Sequence, residues 1–122
     1  MTLNFLFVCS KNKWRSPTAE TIYRRDRRLR VRSAGTSSSA RKRISANDIN
    51  WADLILVMEN KHKNIITRQY RHLDLPEIVV LDIPDDYQYM SDELIEMLQI
   101  SVEAILQSEL EHTSQIDDLG KI

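Results

Sequence analysis

Short apolar runs alternate along this chain with segments of helical character. Four runs are typical of strands, at residues 3–8, 29–33, 52–59 and 77–81. Three of them are almost continuously apolar, as in strands covered on both faces, whereas 29–33 alternates between apolar and polar residues. Because helical segments follow these runs, the pattern predicts one α/β domain over residues 1–122, with a four-stranded parallel sheet and helices on both faces.

Polar residues at segment boundaries indicate where the helices begin. Ser16 before Pro17 predicts an N-cap for a first helix that ends near Leu29. Ser45 with Asp48 matches a capping box, and Asn60 can cap a helix that ends near Gln69.

Ser91 predicts the start of a long last helix. Its apolar stripe consists of Leu94, Leu98, Val102, Ile105 and Leu106. The tail from about residue 113 is polar, and we expect it to fray.

The first strand leads directly into a short polar loop and then into a helix. Cys9 ends the strand, and Arg15 follows it after five residues. A loop held between a strand end and a helix N-terminus directs several backbone N–H groups at one point, where the helix dipole adds partial positive charge. The sequence therefore predicts an anion site with the only cysteine at its entrance.

The loop also carries side chains suited to phosphorus chemistry. Lys11, Lys13 and Arg15 favour the thiolate form of Cys9, and the Ser16 hydroxyl is placed to donate a hydrogen bond to the sulfur. A guanidinium can grip two oxygens of a phosphoryl group with its planar fork. This combination favours in-line attack on phosphorus through a phosphocysteine intermediate.

The segment from Val8 to Glu20, VCSKNKWRSPTAE, resembles the signature loop of the low-molecular-weight protein tyrosine phosphatases. In that family a Cys-x5-Arg-Ser-Pro-x-Ala-Glu run follows the first strand. The run at 52–59, ADLILVME, is similar to a second stretch of the family. The resemblance extends from about Leu3 to Leu106 and implies a phosphatase fold and a cysteine nucleophile.

The resemblance also implies roles for individual loop residues. Cys9 would be the nucleophile and Arg15 would stabilise the transition state. Ser33, in a Ser-Ala-Gly segment, would hydrogen-bond Asn12 and support the loop, although an ordinary turn residue is an equal alternative. The implied phosphate-binding residues are Ser10, Lys11, Asn12, Lys13, Trp14, Arg15 and Ser16.

Phosphoryl transfer also needs an acid that protonates the leaving oxygen and then activates water. The family places an aspartate in an Asp-Pro-Tyr loop before its last helix. Counting back from Ser91, Asp85 matches that aspartate and Tyr87 matches the tyrosine, with Asp86 in place of the proline. Asp82 and Asp86 remain competitors for the role of general acid.

Two departures from the family bear on the site. Lys11 stands where the family usually has glycine, so the loop must avoid positive φ there or accept strain. Residues 37–43 are shorter than the family's insertion and carry no aromatic residue, which predicts a more open pocket. His62 and His72 are conceivable general bases, but we expect His62 to be exposed, and the mechanism needs no histidine.

Composition is consistent with one soluble domain. The 122 residues are 42% hydrophobic, with two glycines and three prolines, and no run approaches a bilayer span. A single cysteine precludes an internal disulfide and favours a reducing cytoplasm, with no leader expected. It also removes the ligand cluster of a structural zinc, so we expect no metal and no cofactor.

Charge is strongly asymmetric along the chain. Residues 1–74 hold 16 Lys and Arg against 6 Asp and Glu, whereas residues 75–122 hold 1 against 12. Either the basic half steers anionic substrates to the loop, or the two halves simply pair and solvate each other. The six arginines between residues 24 and 32 could bind nucleic acid, but without interleaved aromatic residues a solvated face is favoured.

These features favour a metal-independent protein tyrosine phosphatase acting on phosphotyrosine proteins or small phosphomonoesters. Phosphate, sulfate and vanadate would then inhibit it, and neither nucleic acid nor membrane is an expected partner. Two alternatives stay open. One is an arsenate reductase that uses an external thiol, since the chain lacks cysteines for an internal relay. The other is a non-catalytic module that binds phosphate or nucleic acid.

Overall fold

The computed structural model describes the backbone of residues 2–120 and the side chains of residues 2–111. The elements in chain order are β1 (Leu3–Cys9), α1 (Arg15–Tyr23), β2 (Leu29–Gly35), α2 (Ala46–Trp51), β3 (Leu54–Val57), α3 (Asn60–Gln69), β4 (Glu77–Val80) and α4 (Asp92–Gly120). The four strands form one parallel sheet in the order β2-β1-β3-β4. The predicted four-stranded parallel sheet is therefore confirmed.

The pleat of β1 divides the core into two layers. Phe5, Phe7 and Cys9 face the first layer, which includes residues of α1 and the apolar stripe of α4. Leu6 and Val8 face the second layer, which includes residues of α2 and α3. Because successive strand residues point to opposite faces, one apolar strand buries both of its faces and helices cover the sheet on each side.

Several helix boundaries agree with their sequence signals. Ser45 accepts a hydrogen bond from the Asp48 N–H, and the Asp48 side chain accepts from the Ser45 N–H, which completes the predicted capping box. Ser91 accepts from the Leu94 N–H at 3.2 Å, as expected of an N-cap. Helix α3 spans the predicted residues, with Glu59 rather than Asn60 at its N-cap.

The prediction that Ser16 caps the first helix is wrong. Helix α1 begins at Arg15 and has Trp14 at its N-cap, so Ser16 and Pro17 lie inside the first turn. The N–H groups of the first turn have no partner within the helix, and proline is therefore tolerated there as well. The helix also ends at Tyr23, before the predicted Leu29, which is the first residue of β2.

The predicted frayed tail from about residue 113 lies beyond the side chains that the structure describes. The helix backbone of α4 continues to Gly120. Among the described residues, no helix is both long and apolar enough to cross a bilayer.

Gly35, the last residue of β2, permits the closest approach between the sheet and the loop after β1. A Cβ atom at this position would lie 2.5 Å from the Ser10 carbonyl oxygen and 2.9 Å from the Asn12 nitrogen. Both are backbone atoms, so the clash can be relieved only by moving the loop or the strand.

We therefore expect Gly35→Ala to lower the free energy of unfolding by about 2–3 kcal/mol, because overpacking against backbone is costly. Urea titration followed by circular dichroism measures the change. Ser38→Ala, at an exposed position in the next turn, is the matched control and should stay within about 0.5 kcal/mol of the parent. An unchanged midpoint for Gly35→Ala would contradict the predicted clash.

Candidate active site

The loop between β1 and α1 turns its carbonyl oxygens outwards to residues 36–41. Thr36 N donates to Cys9 O, Ser37 N to Ser10 O, Arg41 N to Lys11 O and Arg41 Nε to Asn12 O, at 2.9 to 3.0 Å. In a planar trans peptide the N–H points opposite to the C=O. The N–H groups of the following residues are therefore directed away from this segment, towards the inside of the loop.

Asn12 sets the curvature of the loop. Its φ of 53° lies in the left-handed region, which asparagine tolerates better than most residues. Its buried side-chain amide donates to Ser16 Oγ and to Ser33 Oγ, each at 2.9 Å. Ser33 in turn donates to Glu20 Oε1 at 2.6 Å. The predicted contact between Ser33 and Asn12 is thus present, and it ties the loop to both β2 and α1.

Lys11 does not have positive φ. The non-glycine residues with positive φ in the described chain are Asn12, Asp82 and Met90. The loop therefore accommodates lysine at the family's usual glycine position by placing the left-handed turn one residue later.

The Cys9 side chain lies at the base of the loop. Its sulfur is 3.0 Å from Ser16 Oγ, and only 3% of the residue is exposed. The first turn of α1 therefore places a hydroxyl against the sulfur, as the sequence predicts. Such a hydroxyl can donate to a thiolate and stabilise its charge.

The Arg15 guanidinium is fixed by one group from the segment after β3 and one from the loop after β4. Its Nη1 donates to Glu59 Oε2 at 2.5 Å and to the Ile83 carbonyl oxygen at 2.9 Å. Its Nε is buried and has no hydrogen-bond partner among the residues that the structure describes, and it lies 3.6 Å from Asp85 Oδ1. Nη1 therefore orients the Arg15 guanidinium, while Nε remains able to donate a hydrogen bond to a ligand.

Glu59 is held ionised by this contact. Burial opposes ionisation, but the hydrogen bond and the charge of Arg15 outweigh it and bring the pKa of Glu59 below its usual value. Glu59 was not among the site residues predicted from the sequence. A usable signal existed, since Glu59 follows the apolar run of β3, and the carboxyl ends of parallel strands meet at the sheet edge that carries Cys9.

One cavity of about 290 Å³ brings the candidate reactive groups together. It is lined by Cys9, Lys11, Lys13, Trp14, Arg15 and Asp85. Of the three candidate acids, Asp85 lies in this cavity, whereas Asp82 lines a separate depression beside Lys61 and Pro84. Asp86 lines neither of the two.

The loop that carries Asp85 is anchored at both ends. Ile83 N donates to the Met58 carbonyl oxygen at 2.9 Å, and Met90 N donates to Thr18 Oγ1 at 2.9 Å. Tyr87, predicted to support the site, packs against the first core layer instead of lining the cavity. These contacts fix the loop against β3 and α1 while its carboxylate stays accessible.

The prediction that His62 is exposed is wrong, since its exposed fraction is 0%. His62 Nδ1 accepts the Glu59 N–H at 3.0 Å, and Nε2 is 2.8 Å from Ser10 Oγ. Nδ1 is thus an acceptor, so the proton is on Nε2, which donates to Ser10. Burial and then the charge of Arg15 lower the pKa of His62 to about 4, so the ring is neutral at pH 7.

His62 supports the loop through its hydrogen bond with Ser10 Oγ but does not line the cavity. His72, the other histidine considered in the sequence, is exposed. No group of three or more His, Cys, Asp or Glu side chains in the described part of the chain could hold a metal ion.

Comparison with known proteins supports the resemblance seen in the sequence. Residues 4–49 match the family model described as low molecular weight phosphotyrosine protein phosphatase. The chain is 32% identical to the protein-arginine-phosphatase of Bacillus subtilis (strain 168), over 80% of this chain and 93% of that protein.

Solved structures share the fold at lower identity. A low molecular weight protein tyrosine phosphatase from Streptococcus pyogenes is 20% identical, with a TM-score of 0.72 over 90% of this chain and 98% of that one. The tyrosine phosphatase Wzb from Escherichia coli K30, solved in complex with phosphate, is 22% identical. Its TM-score is 0.65 over 88% of this chain and 99% of that one.

The buried neutral state of His62 predicts a pH-dependent stability. In the unfolded chain its pKa returns to about 6.5, so between pH 6.5 and about 4 the unfolded state binds a proton that the folded state does not. The contribution of His62 to the free energy of unfolding is therefore complete well above pH 6.5 and falls as the pH is lowered towards 4. From pH 7 to pH 5 this contribution amounts to roughly 2 kcal/mol.

We expect His62→Gln to remove this part of the pH dependence. Urea unfolding of the parent and the variant at pH 7 and pH 5 measures it, and the parent should lose roughly 2 kcal/mol more than the variant. His72→Gln is the matched control and should behave as the parent does. Equal losses in the parent and His62→Gln would show that His62 is not held neutral.

Proposed function

Because this chain belongs to the low-molecular-weight phosphotyrosine protein phosphatase family, we propose that it hydrolyses phosphotyrosine in proteins through a phosphocysteine intermediate. One observation carries this proposal most directly. The Cys9 sulfur, the Arg15 guanidinium and the Asp85 carboxylate all line one cavity, and the buried Arg15 Nε has no hydrogen-bond partner in the described part of the chain.

In the first step the Cys9 thiolate attacks phosphorus in line with the leaving phenolic oxygen. A P–S bond forms as the P–O bond breaks, and Asp85 protonates the leaving oxygen. The inward N–H groups of the loop and Arg15 Nε stabilise the charge on the three equatorial oxygens. The 3.0 Å contact of Ser16 Oγ supports its role in stabilising the thiolate.

In the second step a water molecule attacks the phosphocysteine. Asp85, now ionised, accepts a proton from that water, the P–S bond breaks, and phosphate leaves. The same carboxyl group thus alternates between acid and base. Its place in the lining of the active-site cavity supports this role over those of Asp82 and Asp86.

The protein-arginine-phosphatase relative raises phosphoarginine as a second candidate substrate. The cavity charges favour phosphotyrosine. Lys11 and Lys13 line the cavity, and among the described residues neither has a carboxylate within 4 Å. Phosphoarginine keeps a cationic guanidinium beside its phosphoryl group, which the lysines would repel, whereas a phenolic ring is neutral and can pack on Trp14.

Lys11, Lys13 and Arg15 outnumber Asp85, the one carboxylate among the described residues of the cavity lining, so the lining keeps a net positive charge. The single cysteine, Cys9, must also stay a free thiol, and we propose a cytoplasmic location for that reason.

We expect Cys9→Ser to reduce turnover of p-nitrophenyl phosphate by at least about 10³-fold, because an unactivated hydroxyl is a far weaker nucleophile than a thiolate. Release of p-nitrophenolate measures it. The parent should be insensitive to EDTA. Retained activity in the Ser variant would contradict the proposed nucleophile.

We expect Asp85→Asn to lower kcat by about 10²-fold or more, because the leaving oxygen is no longer protonated. The loss should be larger for phenyl phosphate than for p-nitrophenyl phosphate, whose leaving group needs less protonation. Asp82→Asn and Asp86→Asn are matched controls and should change kcat by less than about three-fold. A larger loss of kcat in either control would assign the role of general acid to that residue.

Peptides of one sequence that carry either phosphotyrosine or phosphoarginine distinguish the two substrates. We expect kcat/KM to favour phosphotyrosine by at least about ten-fold, on electrostatic grounds. Lys11→Gln/Lys13→Gln should narrow this ratio, whereas Lys63→Gln, exposed on α3, should leave it unchanged. A parent preference for phosphoarginine would overturn the tyrosine assignment without overturning the phosphatase.

A further inference from the structure

A second cavity, of about 650 Å³, adjoins the active-site cavity. Lys13 and Trp14 line both of them. The floor of the second cavity is one face of α1 and its C-cap, with Pro17, Glu20, Thr21 and Arg24 at the three- and four-residue spacing of neighbours on a helix. Arg41 and Tyr89 complete the walls. We call this cavity the flanking groove.

Three cations line the flanking groove, namely Lys13, Arg24 and Arg41. In the part of the chain that the structure describes, none of them lies within 4 Å of a carboxylate. The one carboxylate in the groove, Glu20, accepts a hydrogen bond from Ser33. The groove therefore carries a net positive charge that the folded chain itself does not neutralise.

Two arginines of the basic run, Arg28 and Arg32, differ in this respect. Arg28 pairs with Asp26 and with Glu103, at 2.6 and 2.7 Å. Arg32 lies 3.5 Å from Asp48 and covers the Trp51 ring. The sequence suggested one solvated basic face, but the fold neutralises Arg28 and Arg32, whereas Arg24 in the flanking groove has no carboxylate within 4 Å among the described residues.

The groove is also held in shape. Tyr89 Oη is 2.7 Å from Thr21 Oγ1, and Arg24 Nη2 donates to the same oxygen at 3.3 Å. Arg41 is fixed by its bond to the Asn12 carbonyl oxygen. A ligand would therefore meet cations that are already positioned, which lowers the entropic cost of binding.

We propose that the flanking groove binds acidic residues next to the phosphorylated residue of a protein substrate. This inference rests on the proposed function, because the phosphorylated residue must occupy the active-site cavity while the peptide continues past Lys13 and Trp14. Charge complementarity favours an acidic segment over a neutral or basic one. The site thus selects the sequence around the phosphoryl group as well as the group itself.

Phosphotyrosine peptides of equal length test this inference. Three aspartates stand before the phosphotyrosine in one peptide and after it in another, and asparagines replace them in a third. We expect at least one acidic peptide to have a kcat/KM about ten-fold above the neutral peptide, mainly through KM, and the advantage should shrink at high salt. Equal values for all three peptides would overturn the inference.

Arg24→Gln should reduce the ratio of kcat/KM for the acidic peptide to that for the neutral peptide about three-fold. It should leave p-nitrophenyl phosphate turnover unchanged, since Arg24 lies outside the active-site cavity. Arg25→Gln is the matched control, because it removes the same charge from an exposed neighbour that does not line the groove. Equal losses in the two variants would indicate a general charge effect and overturn the groove as the site.

Binding separates this inference from the proposed function. Fluorescence anisotropy of labelled phosphopeptides, measured in the Cys9→Ser background so that the peptides are not hydrolysed, should show tighter binding of an acidic peptide than of the neutral one. Adding Arg24→Gln should weaken binding of the acidic peptide, and adding Arg25→Gln should not. That result supports the groove even if p-nitrophenyl phosphate is not hydrolysed, an outcome that would contradict only the proposed function. Single-stranded RNA of equal charge serves as a competitor for the labelled acidic peptide. If RNA displaces that peptide at a lower concentration than the unlabelled acidic peptide does, the groove binds nucleic acid and the inference is overturned.

Discussion

The left-handed turn at Asn12 is the constraint on which the rest of the site depends. It reverses the chain between β1 and α1, and it is stabilised because the same residue's amide bridges Ser16 and Ser33. The bridge places the Ser16 hydroxyl against the Cys9 sulfur, and residues 36–41 hold the loop's carbonyl oxygens from outside. A residue without this side chain would face both the cost of the left-handed conformation and two buried hydroxyls with fewer partners.

The second half of the site comes from residues 59–85, more than forty positions after the loop. The Arg15 guanidinium is oriented by Glu59 after β3 and by the Ile83 carbonyl oxygen after β4. Both are fixed by the sheet, since parallel strands β1, β3 and β4 end at one edge. Cys9 and Arg15 are close in sequence, but strand order brings Glu59, Ile83 and Asp85 to them, as is general at the carboxyl edge of such sheets.

The sequence predicted the sheet because apolar runs as continuous as that of β1 are typical of strands buried on both faces. It also predicted the positions of Cys9 and Arg15, because their spacing is local and lies between a strand and a helix start.

His62 was missed because a polar residue in the first turn of an otherwise polar helix gives no signal of burial. Its surroundings, Ser10 and Arg15, come from about fifty residues earlier in the chain. Ser16 was misplaced for a related reason, since serine favours caps in general, but here its hydroxyl is engaged by Cys9 and Asn12. The sequence could not separate Asp85 from its neighbours, because the anchoring of that loop at Ile83 and Met90 is tertiary.

The strand order also has a consequence for biosynthesis. On the ribosome the loop with Cys9 emerges early, but Arg15 has no anchoring carboxylate until Glu59 follows, and no second anchor until Ile83 does. The edge strand β4 pairs only with β3, so the nascent sheet must grow outwards from β1 before the last anchor is fixed. A nascent chain therefore carries its thiol in an incomplete pocket until Ile83 has been synthesised, which delays the onset of chemistry until the strands of the sheet have formed.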